Sequence, residues 1–97
     1  MATPDMGMKS VIDNTRLSRF ELTEDGETAF ANYRQSGTLL IIPHVEAPLA
    51  LRGKGTAGRL MEGIAVHART HGLKIEPLCS YAAIWFTRHP AYQDVLS

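Results

Sequence analysis

The 97-residue chain predicts a small α/β fold of the α+β kind: a mostly antiparallel sheet, one parallel β-α-β crossover and two main helices. Three observations predict it. Residues 19–34 hold two alternating polar–apolar segments joined by a tight turn. An apolar run over 38–45 leads through a glycine-rich turn into a helix-periodic stretch. That stretch stops at a glycine, and a further strand and helix follow.

Taken in order, residues 1–10 are small, polar and Met-rich, the composition of a flexible leader to a domain over 11–97. Residues 11–17 are compatible with an extended segment. Arg19-Phe20-Glu21-Leu22-Thr23 alternates as a half-buried strand does. Glu24-Asp25-Gly26-Glu27 carries Asp-Gly, the strongest short hairpin signal. Residues 28–34 alternate again and pair back, and Gln35-Ser36-Gly37 is a second turn. Thr38 to Val45 lacks alternation and reads as a central strand. Three antiparallel strands therefore precede the glycine turn.

After the turn, Ala57, Leu60, Met61, Ile64, Ala65 and Ala68 share one helical face, with Arg59, Glu62, Arg69 and Thr70 opposite. Gly72 stops the helix. Leu73 to Cys79 is the next strand, parallel to the one before the helix because a crossover joins them. Ser80 is a candidate cap for a second helix over 81–89, ended by Pro90.

The composition bounds the function. Ten acidic residues balance ten basic ones, so charge gives no case for a nucleic-acid or membrane-surface partner. One cysteine cannot form an internal disulfide, and no signal peptide or spanning segment is evident, so a cytoplasmic location is expected.

Arg52-Gly53-Lys54-Gly55-Thr56-Ala57 carries the chemistry. Glycines permit a tight turn that bares backbone N–H groups. The following helix adds unpaired amides and the positive end of its dipole. Such a turn binds a phosphate or pyrophosphate. Gly53 to Gly58 also reads as G-x-G-x-x-G, with Glu76 downstream for a ribose. Against a dinucleotide domain stand the residues 48–52 inserted before the first glycine, the preceding hairpins and the short chain. A Walker A loop fails because Gly55 follows Lys54 where Ser or Thr is required. The plainest alternative is a ligand-free connection.

Arg52, Gly55 and Ala57 match the [Q/R]-x-x-G-x-[G/A] loop of the GNAT acetyltransferase superfamily. Residues 41–48 lead in, and residues 72–81 with Arg88-His89-Pro90-Ala91-Tyr92 lead out. Over about residues 18–96 the chain resembles a compact single-domain branch of that superfamily. The resemblance implies a small GNAT-like fold whose loop, residues 52–57, holds the pyrophosphate of acetyl-coenzyme A. It implies that backbone amides of Val45, Glu46 and Ala47 hold the pantetheine and face the thioester. It also implies an amine acceptor, either a small molecule or a lysine or N-terminal amine. Extra N-terminal elements that usually wall the acceptor site find no room here, so the site is expected to be open, or completed by a homodimer or partner.

In the superfamily a tyrosine on the last helix commonly protonates the leaving thiolate. Ser80 to Thr87 is similar to the N-x-A-A-I-x-L-Y stretch that carries it, and Thr87 stands in its place. Cys79 is the candidate substitute, at the end of a strand that lies near the thioester in this fold. A helix N-terminus beside it favours the thiolate, and Cys79 can take the acetyl group itself or, as the thiol, protonate the departing coenzyme A. Its alternative is simple packing. His44 ends the neighbouring strand and can take a proton from Cys79 or from the amine. Glu46 shares its face by alternation and can orient it. The implied function is acetyl-coenzyme A-dependent N-acetyltransfer; without the tyrosine, a non-catalytic acyl-coenzyme A binding or sensing module is the rival. His67 and His71 stand four apart but lack a third ligand, so no metal is expected. Tyr81, Trp85, Phe86 and Tyr92 read as core, and Arg88-His89-Pro90 as a helix end beside which the adenine of coenzyme A can lie.

Overall fold

The computed structural model describes residues 11–97; the leader expected over 1–10 lies outside them. Five strands form one sheet in the order β1-β2-β3-β4-β5: β1 Ile12–Asn14, β2 Arg19–Glu24, β3 Glu27–Ser36, β4 Leu39–Glu46 and β5 Lys74–Pro77. The first four pair antiparallel, and β5 joins β4 in parallel through α1 Thr56–His71. Helix α2 Ser80–Thr87 follows, then a 3-10 helix Pro90–Val95.

Local chemistry accounts for most boundaries. Asp25 and Gly26 both take positive φ, 52° and 77°, closing a two-residue hairpin between Glu24 and Glu27. Gly72 ends α1 in the left-handed region at φ 68°, its amide reaching Ala68 and Arg69 carbonyls.

Three expectations need correcting. There are four antiparallel strands before the turn, because residues 12–14 pair with β2. Strand β4 is interior as expected, between β3 and β5, with Leu39 and Ile41 half-buried on a face that no helix of the described residues covers. Strand β5 is shorter than 73–79, because the chain turns away after Pro77. Ser80 does not cap α2: it is the first helical residue, Cys79 occupies the cap at φ −69°, ψ 134°, and no side chain caps the helix.

Both α-helices pack on one face of the sheet. Phe20 and Leu22 of β2, Ala29 and Ala31 of β3, Leu40 and Ile42 of β4, and Ile75 of β5 meet Leu60, Met61, Ile64, Ala65 and Ala68 of α1 in one buried core. From α2 come Ala82, Trp85 and Phe86. Ala57 is only half-buried, and Thr56 takes the buried place at the start of α1. The opposite face carries the Arg19–Glu21 pair, Phe30 and the Thr23–Thr28 hydroxyl contact.

A bulge between β3 and β4 decides which face His44 takes. Asn32 pairs with His44 and Arg34 with Ile41, so two residues of β4 oppose Tyr33 alone. Ile42 therefore stays with the buried face while His44 and Glu46 turn to the uncovered one.

The titrating groups of this framework predict acid sensitivity. Burial holds the His67 imidazole below its ordinary value, with the neighbouring His71 acting the same way and Asp13 opposing. A histidine that resists protonation when folded withdraws stability as pH falls below about 6.5. The carboxyls of Asp94 and Glu21 are held low by hydrogen bonds from Arg69 and Arg19, so their contribution is present at neutral pH and lost as pH falls through the lowered values. Thermal melts should show the midpoint falling by a few degrees from pH 7 to 5, and further below pH 4. His67→Gln should flatten the upper stage only; an unchanged slope there would remove His67 from the account.

Candidate active site

The site lies where β4 and β5 part. Their ladder ends at Ile42 and Pro77, while β4 runs on to Glu46. The amides of Leu78 and Cys79 both reach the Ile42 carbonyl, at 3.0 and 3.2 Å, and the chain then turns into α2. Beyond Ile42 the sheet is open on that side, with Val45 and Glu46 paired only to Ala31 and Phe30 of β3. Cys79 sits at the vertex, half-buried against the core and reduced.

From β4 the chain passes through a 3-10 turn, Leu49–Leu51, anchored by the buried Leu51. The glycine turn follows. Gly53 and Gly55 adopt φ 78° and 79°, and Gly55 is the cap residue of α1. No side chain caps that helix, so its first amides are available to an external acceptor.

Glu24, buried at the end of β2, fixes this turn. Arg59 grips it in a fork, Nε to Oε2 at 2.8 Å and Nη2 to Oε1 at 2.7 Å. Arg59 Nη2 also donates to the Lys54 carbonyl, and Thr56 Oγ1 to Glu24 Oε1 at 2.6 Å. A fully hydrogen-bonded buried carboxylate specifies geometry more than it stabilises. This network went unread in the sequence, where Glu24 belonged to the turn and Arg59 to a polar face. Its signal is phase: Phe20, Leu22 and Glu24 share one strand face, and a carboxylate pointing inward needs a cation.

Two cavities meet at this turn. The smaller, about 330 Å³, is lined by Ala47, Arg52, Gly53, Gly55, Thr56 and Ala57 among others. The larger, about 640 Å³, lies between the start of α1 and α2. Gly55, Gly58 and Tyr81 line both, so the two form one trough. Of the expected turn residues Lys54 alone is outside the linings; its ammonium lies 3.5 Å from Asp25.

Sequence reasoning assigned Tyr81 and Trp85 to the core. Trp85 is buried but walls the larger cavity, whereas Tyr81 is exposed in the trough. Burial pushes the Tyr81 phenol up, and Cys79 beside it acts in the same direction. Gly58 keeps the trough open: a Cβ there would lie 3.6 Å from the Trp85 indole nitrogen and 3.8 Å from the Tyr81 hydroxyl. Thr87 lines neither cavity, and its hydroxyl donates to the Ile84 carbonyl at 2.7 Å.

His44 is brought to Glu46, Nε2 to Oε1 at 2.9 Å, with both side chains about half exposed. The carboxylate accepts, so Nε2 carries the proton and Nδ1 the lone pair. No hydrogen bond joins His44 to Cys79. His67 and His71 stack at 4.2 Å with His71 Nδ1 bonded to the His67 carbonyl, and no group of three metal-ligating side chains occurs among the described residues.

An uncapped helix thus follows a positive-φ glycine turn at the mouth of a parted parallel strand pair. The family model for GCN5-related N-acetyltransferase matches residues 19–95. The chain belongs to that family. A GCN5-like protein from Staphylococcus aureus, solved in solution by NMR, is similar throughout. It is 26% identical with a TM-score of 0.67, over 95% of this chain and 91% of that one. No helix among the described residues is long and apolar enough to cross a membrane.

Proposed function

We propose that the protein binds acetyl-coenzyme A in this trough and transfers the acetyl group to an amine. The carrying observation is the junction of two features: the uncapped start of α1 and the opening between β4 and β5. The residues suit the ligand. Gly53 and Gly55 present backbone without side chains in the way, and the α1 amides suit a pyrophosphate. The edge of β4 at Val45, Glu46 and Ala47 suits the amide-bearing pantetheine. When bound, acetyl-coenzyme A supplies an activated acyl group as a thioester.

The chain's own residues divide the remaining work. Cys79, at the vertex, attacks the acetyl carbonyl: its S–C bond forms, the carrier's C–S bond breaks, and the departing thiolate takes the Cys79 proton. The amine then attacks S-acetyl-Cys79, and the Cys79 sulfur leaves as thiolate. His44 Nδ1 removes the proton of the new amide nitrogen, with Glu46 holding the ring. His44 and Glu46 lie on the uncovered sheet face, from which an acceptor lysine or small amine approaches, with a second copy or partner completing its site. A reducing, cytoplasmic setting keeps the thiol free.

Intact-mass measurement after incubation with acetyl-coenzyme A tests this reading. Wild type should gain one acetyl group, and Cys79→Ala should lose the adduct while binding the cofactor with nearly unchanged affinity. An adduct persisting in Cys79→Ala places the chemistry elsewhere. Undiminished turnover in that variant, with no wild-type adduct, assigns direct attack by the amine and leaves Cys79 a packing role.

A further inference from the structure

The far end of the larger cavity has chemistry that the pyrophosphate turn does not use. Helix α2 runs beside α1 from Ser80, and Arg88 follows its last residue. From Tyr81, which lines both cavities, to Arg88 is seven residues, about 10 Å along the helix. Arg88 lines the larger cavity, and among the described residues its guanidinium has no hydrogen-bond or ion-pair partner.

The other polar groups of that cavity are committed. The charge of Arg59 is balanced by its fork on Glu24. His89 stacks on Trp85 at 4.0 Å and bonds the Trp85 carbonyl through Nδ1 at 2.7 Å. In the neutral ring that bond needs the proton on Nδ1, leaving Nε2 an acceptor that cannot donate to an anion. Glu62 Oε2 accepts from the Tyr92 hydroxyl at 2.8 Å. Its other oxygen repels an anion and suits a ribose hydroxyl or an exocyclic amine. Among the described residues the cavity thus offers one free cation, Arg88, and a hydrogen-bond acceptor, Glu62.

We propose that Arg88 forms a subsite for the 3′-phosphate of the coenzyme, so that the chain prefers coenzyme A over 3′-dephospho-coenzyme A. Resting on the cofactor reading above, this places the ribose between the pyrophosphate at α1 and the guanidinium at the end of α2. Arginine suits the task because its planar fork matches phosphate oxygens two at a time.

Calorimetric titration of the full chain with both ligands tests it. Wild type should bind coenzyme A about tenfold more tightly than the 3′-dephospho form, the scale of one charge-assisted hydrogen-bonded pair near a surface. Arg88→Gln should weaken coenzyme A alone and bring the two affinities together. Arg88 is exposed, so the circular dichroism of the variant should be unchanged, and the dephospho ligand probes the same contact without any mutation. Equal wild-type affinities for the two, or a preference that survives Arg88→Gln, would overturn the subsite and leave the cofactor reading standing. Failure of the folded wild type to bind either ligand would overturn both.

Discussion

Gly55→Val should cost about a hundredfold or more in affinity for coenzyme A, with the fold retained. Gly55 holds φ 79°, where any side chain is strained by about 1–2 kcal/mol and a β-branched one by more. A Cβ there would also come within 3.1 Å of Arg59 Nη1, and Arg59 cannot swing away without releasing the buried Glu24. Valine therefore drives the turn to another conformation, and binding must restore the cradle against that strain. A loss of about 2.7 kcal/mol corresponds to the hundredfold. Lys54→Ala should change affinity only a few-fold, because its ammonium is exposed and faces Asp25, where charge pairs are screened. Calorimetry on both variants, with circular dichroism confirming folding, decides the matter. Equal affinity of wild type and folded Gly55→Val would remove the phosphate turn from the mechanism.

His44→Gln should lower turnover by about a hundredfold or more, the usual scale for loss of a general base. Glutamine keeps the size and a hydrogen bond to Glu46 but has no lone pair able to hold a proton at neutral pH. Coenzyme A affinity should survive, since His44 lies on the uncovered sheet face and the trough on the other. The assay needs an acceptor found by screening small amines and lysine peptides. Full activity in His44→Gln would exclude the role. A wild type that binds coenzyme A yet acetylates no amine would favour the sensing module suggested by Thr87 in the tyrosine's place.

Much of the architecture was legible because it is local. Asp25-Gly26 closes its hairpin through two positive φ values, and Gly72 ends α1 the same way. The apolar stripe of α1 at 3.6-residue spacing buries itself as written, from Leu60 to Ala68. The misreadings were also local: Ser80 has a capping side chain, but the backbone turns one residue earlier, at Cys79, where the Ile42 carbonyl takes two amides. Residues 12–14 became a strand because β2 offered an edge, and their own sequence is too short to say so.

The sequence by itself determined the order of strands and α-helices from β2 to α2, the glycine turn and the family, since turn chemistry and hydrophobic period act over a few residues. Tertiary structure alone decided three matters. The bulge opposite Tyr33 put His44 and Ile42 on opposite faces, though strict alternation would put them together. The Glu24 carboxylate met Arg59 across 35 residues and stiffened the turn that the glycines only permit. Tyr81 and Trp85, apolar enough for a core, became the walls of a trough because α2 lies against Gly58, which has no side chain to fill the gap. Each depends on which distant backbone arrives alongside, and that is fixed by sheet register and helix packing.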